Sequence, residues 1–422
     1  MRYAGPYLDP VQYGGLKGFS VNHYLIKLLH FIQSELDQRI PHAVICTLVD
    51  LSKAFNRVDH NLIMQDLYDM KCPSWLLKIV FSYLDKRSLI VSYDRATSEA
   101  KALKAGAPAG TVLGVFIFIV KINGFLLRPS ISKEIIPVLK ENKSLNVKYM
   151  DDDTTACSIN LKKSLIRDPV IRPQPLNFFE KDQLVLDEQC NPMKTLLEDM
   201  LNFTNCQNMK INQEKTKLMV FNPSRKSQFP PEMGFPDQEN LEYVRKFKIL
   251  GLIITDNLKW SENTQYIIDK CMKRLWILRR MKNIGLENNV ILDVYIKEIR
   301  SVLEFCVPVW NGALTVENST QIESIQKKVL KIILGGEYRS YEYACKIFNI
   351  QSLEVRRDNL CLKFANKEYF KETSLFNKFT SQKQTRLSER VIVKEYNCNT
   401  DRFFKSSLPY LSRMLNISKN NT

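Results

Sequence analysis

Residues 146–158 read NVKYMDDDTTACS, placing Asp151, Asp152 and Asp153 directly behind Val147, Tyr149 and Met150. Adjacent like charges repel, so three acids after a strand-like run are unfavourable in a core unless something cationic completes them. A second acid in a comparable place is found upstream. HAVICTLVDLS, residues 42–52, reads as a buried strand ending in Asp50. If the two strands are neighbours in one sheet, their carboxylates converge on one edge. An oxygen-only set of this kind suits Mg2+, held by one or two carboxylates together with substrate phosphates. Two such ions, about 3.5–4 Å apart, serve an in-line displacement at phosphorus. The plainer alternative is that each aspartate is a solvated turn residue, a common place for that side chain.

The chain has 422 residues, enough for a sizeable core split into two or three lobes. With 45% hydrophobic and 25% charged residues it has the composition of a globular protein rather than of a disordered one. The formal net charge of +16 favours polyanionic partners, nucleic acid ahead of an anionic membrane, over an inert basic surface. MRYAGPYLDP lacks the profile of a secretory signal, and LGVFIFIV (113–120) is too short to span a bilayer. An intracellular protein, nuclear or cytoplasmic and without a membrane partner, is therefore expected. The ten cysteines form no CxxC pair, and His23, His30, His42 and His60 are the four histidines. Neither set has zinc-ligand spacing, and reduced thiols are expected.

Outward from the acids, a Gly-rich turn leads to a helix from about Ser20. Two helical patterns, HNLIMQDLYDM and SWLLKIVFSYLDK, are separated by Cys72-Pro73. SLIVSY enters a hairpin, and AGAPAGTVLG opens a helix from Thr111 to about Asn123. Residues of about 160–200, with Pro169, Pro173 and Pro175, read as an insertion or long connection. MKINQEKTKLMVFN and FKILGLIITDNLKW read as strand pairs. Amphipathic helices follow from about Ser261, with a lobe boundary near Trp260, and 372–422 reads as a polar, loosely ordered tail. In KRLWILRRMK, the cations Lys273, Arg274, Arg279, Arg280 and Lys282 flank Leu275 and Trp276. Helical spacing puts Arg280 near Lys273 and Trp276, a basic stripe beside an apolar one that suits a phosphate backbone, or else a solvated helix face.

The ordered set of blocks resembles the reverse transcriptases of non-LTR retrotransposons, particularly the chicken-repeat and jockey-like groups. VDLSKAFNRVDH is similar to their first catalytic block, AGAPAGTVLGVFIFIVKIN to the G-x-P-Q-G-[ST]-x-L-G-P block, and KYMDDDTT to the Tyr-x-Asp-Asp block. NQEKTKLMVFN and FKILGLIITDNLKW resemble the two later palm blocks, and DPVQYGGLKGFSVNHYLI the fingers segment ahead of the first. Together they cover roughly residues 9–260, and RSVLEFCVPVW resembles the region beyond. The resemblance implies an α+β right-hand polymerase. Its palm, about 41–260 with a ferredoxin-like antiparallel sheet, would follow partial fingers at 1–40 and precede a helical, thumb-like region at 261–371. It implies RNA-directed DNA synthesis from an RNA template, a DNA primer and deoxynucleoside triphosphates, with two Mg2+ ions or Mn2+ in their place. Oligomeric state is left open.

Carried over position by position, Asp50 and Asp151 would be the metal ligands, Asp152 their support, and Leu51 a backbone carbonyl near the second metal. Phe55 would exclude a ribose 2′-hydroxyl, because a flat ring under the sugar leaves no room for the extra oxygen; its plain alternative is a core phenylalanine. Pro108, Ala109 and Gly110 would lie at the nucleotide, and Lys215 near the triphosphate as charge donor or general acid. Leu250 and Gly251 would form the primer-gripping hairpin, where a small residue allows close approach of backbone. Lys273, Arg274, Arg279 and Arg280 would track the nucleic acid.

Four positions depart from the family's pattern. Ala109 stands in place of the usual Gln, Val115 in place of Pro, Lys121 interrupts an apolar helix, and Asp153 adds an acid that either repels its neighbours or turns into water. On the resemblance, the chain opens near the middle of the fingers, without the earlier finger strands or an upstream endonuclease. The alternative to an enzyme is therefore a degenerate, catalytically inactive RNA- or DNA-binding remnant. An RNA-templated RNA polymerase shares the acidic blocks, but Phe55 speaks against it.

Overall fold

The structure is a computed structural model that describes residues 5–40, 42–123, 143–150, 152–160, 165–167, 184–186, 192–222, 241–369, 375–376, 393 and 395–420. Its contacts divide the chain into two units, Met1–Tyr24 with Ile40–Val244, and Leu25–Arg39 with Arg245–Thr422. The division falls ahead of Trp260, where sequence patterning placed it, because the hairpin before Trp260 packs with the helix that follows. Asn263, buried on that helix, accepts a hydrogen bond from the Ile253 N–H (3.1 Å).

The first unit is built on a central sheet with helices. In chain order it contains the first residues of α1 (Val21–Leu36), then β1 (His42–Val49), α2 (His60–Asp69), α3 (Ser74–Leu84) and α4 (Val112–Lys121). These are followed by β2 (Ser144–Tyr149), β3 (Asp152–Asn160), α5 (Pro192–Cys206), β4 (Lys217–Phe221) and β5 (Glu242–Tyr243). The five strands lie in the order β5-β4-β1-β3-β2, antiparallel except for β4 with β5. β1 is central, and its residues from Ala43 to Val49 are buried. A strand covered on both faces has no reason to alternate, which accounts for the unbroken apolar run HAVICTLV.

Strand alternation separates the two faces. On one, the Thr47 hydroxyl meets the Met193 sulfur of α5 (2.9 Å). On the other, the buried Tyr24 hydroxyl donates to Thr154 Oγ1 (2.6 Å). α4 is buried on nearly every side from Phe116 onward, as a helix apolar all round should be. Lys121, which breaks that pattern, is also fully buried. Its ammonium donates to Gln207 Oε1 (2.6 Å), and burial lowers its pKa. The segment read as an insertion ends by Pro192, since Met193, Leu197 and Met200 of α5 are core residues.

The second unit contains the rest of α1, the hairpin β6 (Lys246–Ile249) and β7 (Leu252–Thr255), α6 (Ser261–Asn283) and α7 (Val316–Leu334) among other helices. Buried polar groups pin the helices together. The Tyr295 hydroxyl donates to Gln326 Oε1 (2.6 Å), and Gln326 Nε2 donates to the Gln351 carbonyl (3.0 Å). The polar tail is not uniformly loose. Ser407–Asn420 forms α8, with Leu408, Leu411 and Leu415 buried at helical spacing. Asp37 accepts from the Asn399 N–H (2.8 Å) and from Thr400 Oγ1 (2.6 Å). Three leucines in a polar stretch were too sparse a signal to read without the surface they cover. The described cysteines are all free thiols.

Candidate active site and nucleic-acid face

β1 and β3 pair in antiparallel register, ending with Val49 opposite Asp153. One step further, Asp50 stands at the register position opposite Asp152. β2 and β3 pair back to Tyr149 opposite Asp152, with Met150 at φ 58° beginning the link between them. Asp151, the other metal ligand carried over from sequence, lies outside the described residues. Gly14 packs beneath this link: a Cβ there would come within 2.5 Å of the Met150 nitrogen. That close approach explains a glycine in YGGL which sequence patterning read only as a turn.

The Asp50 side chain is 41% exposed, and Lys215 Nζ lies 3.8 Å from its Oδ2. An ion pair this open to water adds little stability. Its geometry is held by backbone instead. The Asn212 N–H donates to the Asp50 carbonyl (2.7 Å), the Ser52 N–H donates to the Lys210 carbonyl (2.8 Å), and Leu51 bridges Ile211. Thr216, fully buried, donates from Oγ1 to the Asn212 carbonyl (2.7 Å) and accepts from the Asp50 N–H (3.4 Å). The turn 212–216 is thereby tied to the end of β1, and Lys215 rides on it. Sequence reasoning passed over Asn212 and Thr216; the only signal was their place beside Lys215.

Asp152 is exposed, on the same face by alternation as the Asp50 position. Asp153 takes the opposite face and is buried. It neither repels its neighbours at the edge nor turns into water. Its Oδ1 accepts from Asn146 Nδ2 (2.7 Å), and Lys148 stands opposite it in the ladder. Lys148 is committed elsewhere, its ammonium 2.6 Å from Asp9 Oδ2. Burial pushes the Asp153 carboxyl up to about 7, against the opposing pull of Lys148 and the Asn146 hydrogen bond.

Phe55 is half-buried in the short helix Ala54–Arg57, its ring stacked on the core ring of Phe118 with centroids 4.3 Å apart. The Phe55 carbonyl accepts from the Ala107 N–H (2.8 Å), and the Val58 carbonyl from the Gly106 N–H (2.8 Å). These bonds dock the loop of Pro108, Ala109 and Gly110 beside Phe55, with Ala109 and Gly110 exposed. Thr111 closes the loop by capping α4, accepting from the Gly114 N–H (3.0 Å) and donating to the Pro108 carbonyl (2.9 Å). Gly114 is obligatory, because a Cβ would fall 2.0 Å from the Pro108 oxygen. Asp50, Asp152, Phe55, Lys215 and the Pro108 loop thus belong to one unit.

Leu250 and Gly251 join β6 to β7 with φ of 45° and 93°, the doubly positive pattern of a tight hairpin turn. A Cβ on Gly251 would also meet the Phe305 ring at 3.1 Å. The glycine therefore has an internal reason that needs no primer strand. On α6, Lys273, Arg279 and Arg280 are exposed, while Arg274 is not free. Its guanidinium donates to the Glu298 carbonyl and lies 3.7 Å from the Glu298 carboxylate. Leu275 is buried and Trp276 is 62% exposed, so the indole sits within the basic stripe rather than in the core.

Residues 6–254 match the family model described as "Reverse transcriptase (RNA-dependent DNA polymerase)". The chain belongs to the reverse transcriptase family. Within this family member, a mixed α/β region with a central sheet is followed by a helical C-terminal region. Among curated proteins it is similar to two from Drosophila melanogaster. These are "Probable RNA-directed DNA polymerase from transposon BS" (20% identity over 327 residues) and "Probable RNA-directed DNA polymerase from transposon X-element" (21% over 327). Each match covers 76% of this chain and 32% of the relative, so the chain spans about a third of the relatives' length. Solved structures with partial similarity include telomerases from Candida tropicalis and Candida albicans, each in complex with a TWJ fragment of telomeric RNA. The first shares 11% identity, covers 86% of this chain and 52% of that one, and has a TM-score of 0.39. The second has 13% identity, coverage of 88% and 53%, and a TM-score of 0.29. Scores this low carry no argument about the fold.

Reverse transcriptases generally use divalent metal ions. Among the described residues no three His, Cys, Asp or Glu are grouped to hold a metal. Asp50 and Asp152 supply the oxygen-donor chemistry that a hard cation requires. Among the described residues no helix is long and apolar enough to cross a membrane.

Proposed function

We propose that this chain performs RNA-templated DNA synthesis, joining a primer 3′-hydroxyl to an incoming deoxynucleoside triphosphate. The observation that carries the reading is the register of β1 against β3, which sets Asp50 opposite Asp152 on one face with Lys215 3.8 Å from Asp50. Asp50 and Asp151, supported by Asp152 and the Leu51 carbonyl, would hold two Mg2+ ions, or Mn2+. When bound, the metal neutralises phosphate charge and lowers the pKa of the attacking hydroxyl. Lys215 supplies positive charge, or a proton, to the departing pyrophosphate oxygen. Phe55 fills the space a ribose 2′-hydroxyl would need, and Pro108, Ala109 and Gly110 line the nucleotide. Leu250 and Gly251 face the primer, while Lys273, Arg279 and Arg280 contact nucleic-acid phosphates. Arg274 supports that face from within the unit.

The test is Mg2+-dependent extension of a DNA primer on an RNA template by the full chain. Extension is expected, with Asp50→Asn reducing it by about 10³-fold or more, beyond the 10²–10³ typical of one lost electrostatic donor. Binding of the primed template should stay within a few-fold. Equal rates for parent and variant would remove Asp50 from the site. Ala109, exposed at the position of the Gln in the block that this loop resembles, favours a second reading as a non-catalytic RNA- or DNA-binding remnant. In that case binding persists without extension, and Ala109→Gln does not recover it.

A further inference from the structure

On α6 the exposed positions include Asp269, Met272, Lys273, Trp276, Arg279 and Arg280, recurring every three or four residues. Ile267, Cys271, Leu275 and Leu278 are buried on the other side. The helix is thus anchored by its own core stripe, and Trp276 is not needed for packing. Met272, 38% exposed, lies one turn before it. From α7, Lys328 brings its ammonium to 3.7 Å from the Met272 sulfur, so a second helix adds a cation to this face. Among the described residues no carboxylate pairs with Lys273, Arg279, Arg280 or Lys328.

An exposed indole on the same helix face as cations that have no carboxylate partner among the described residues calls for a particular ligand. Trp, Met and Arg are common in protein interfaces, but the core of such an interface is depleted in charge and in lysine. Here, by contrast, four cations accompany one indole and one thioether. Duplex phosphates need only the cations, because paired bases are already stacked. An unpaired strand uses both features: its bases stack on aromatic rings while its phosphates meet the cations. Lys273 and Arg280 lie on either side of Trp276, about 10 Å apart along the helix axis. We propose that this face binds an unpaired polynucleotide strand, with Trp276 stacking on a base and Lys273, Arg279, Arg280 and Lys328 contacting phosphates. The proposal rests on reading α6 as a nucleic-acid face and names the form of nucleic acid it takes.

Tryptophan fluorescence gives a direct readout. Trp260 and Trp310 are buried, and Trp75, the other exposed indole, is removed by Trp75→Phe in the full chain. A 12-nucleotide unstructured RNA should quench the remaining emission saturably, and a blunt 12-base-pair duplex much less. Trp276→Leu should weaken strand binding about tenfold, and Trp276→Phe by no more than about threefold. Neither should change the slope of log affinity against log salt. Arg279→Gln with Arg280→Gln should flatten it by about one to two units. Binding without quenching, full affinity in Trp276→Leu, or equal quenching by the duplex would overturn the stacking proposal. So would a saturable blue shift with phosphatidylserine vesicles in the absence of any RNA response. A slope unmoved by the arginine pair would remove the broader nucleic-acid reading of α6 as well, so the two failures are told apart.

Discussion

The acidic edge of the first unit and the basic helix of the second gather opposite charges in opposite ways. At the edge, Asp50, Phe55, the Pro108 loop, Asp152 and Lys215 come from separate segments, joined by strand register and backbone hydrogen bonds. On α6, the exposed cations and Trp276 come from one helix and repeat with its period. On the proposed reading the edge is a point, where each group would have one task and no neighbour could substitute. On the same reading the helix is a stripe, where loss of one cation would leave others at similar distance from a flexible polyanion. Substitutions should therefore act steeply in the first unit and gradually in the second.

The strongest expected contrast is at Lys215. Lys215→Ala should lower the extension rate by about 10²–10³-fold. Template affinity should barely move, because the side chain is exposed and weakly paired. A loss confined to affinity would make Lys215 another phosphate contact and blur the contrast. Next comes sugar choice. Phe55→Ala should raise ribonucleotide use relative to deoxynucleotide by up to about 10²-fold, the range in which an apolar wall rejects a hydroxyl. An unchanged ratio would return Phe55 to a purely structural role on Phe118.

A smaller effect belongs to the second unit alone. His30 packs against Tyr396 and Phe403, and its Nδ1 is buried without a hydrogen-bond partner among the described residues. Burial, with Lys27 adding, lowers its pKa to about 4. The unfolded histidine, near 6.5, binds its proton first, so the unfolded state is favoured as pH falls. Stability should be complete above about pH 6.5 and fall by on the order of 1–3 kcal/mol as pH drops towards 4. Denaturant midpoints across that range should show the slope in the parent and lose it in His30→Phe. The smallest effect tests the stripe from inside. Because Arg274 is held by Glu298, Arg274→Gln should cost about 1 kcal/mol of stability. The salt dependence of RNA binding should stay where it was; a flatter slope would put Arg274 among the phosphate contacts after all.

Much of this arrangement was legible in the chain. The ordered blocks pointed to the reverse transcriptase family, the apolar run ahead of Asp50 to a buried strand, and the helical spacing of cations to one face of α6. Strong local periodicity carries such features, because a buried strand and an amphipathic helix each impose their own repeat. What escaped depended on partners far along the chain. Sequence alone determined that Asp152 and Asp153 point to opposite faces, since a strand alternates. Only the tertiary structure decided that Asp153 is the buried one, with Lys148 across from it, Asn146 donating to it from the diagonal position and Asp9 holding the lysine. Periodicity likewise set Leu275 and Trp276 on different sides of α6. Packing in the second unit decided that Leu275 is inside, that Trp276 is outside, and that Arg274 is spent on Glu298. Alternation and pitch are properties of the backbone, and so can be read locally. Which face is covered depends on the elements that come to lie against it.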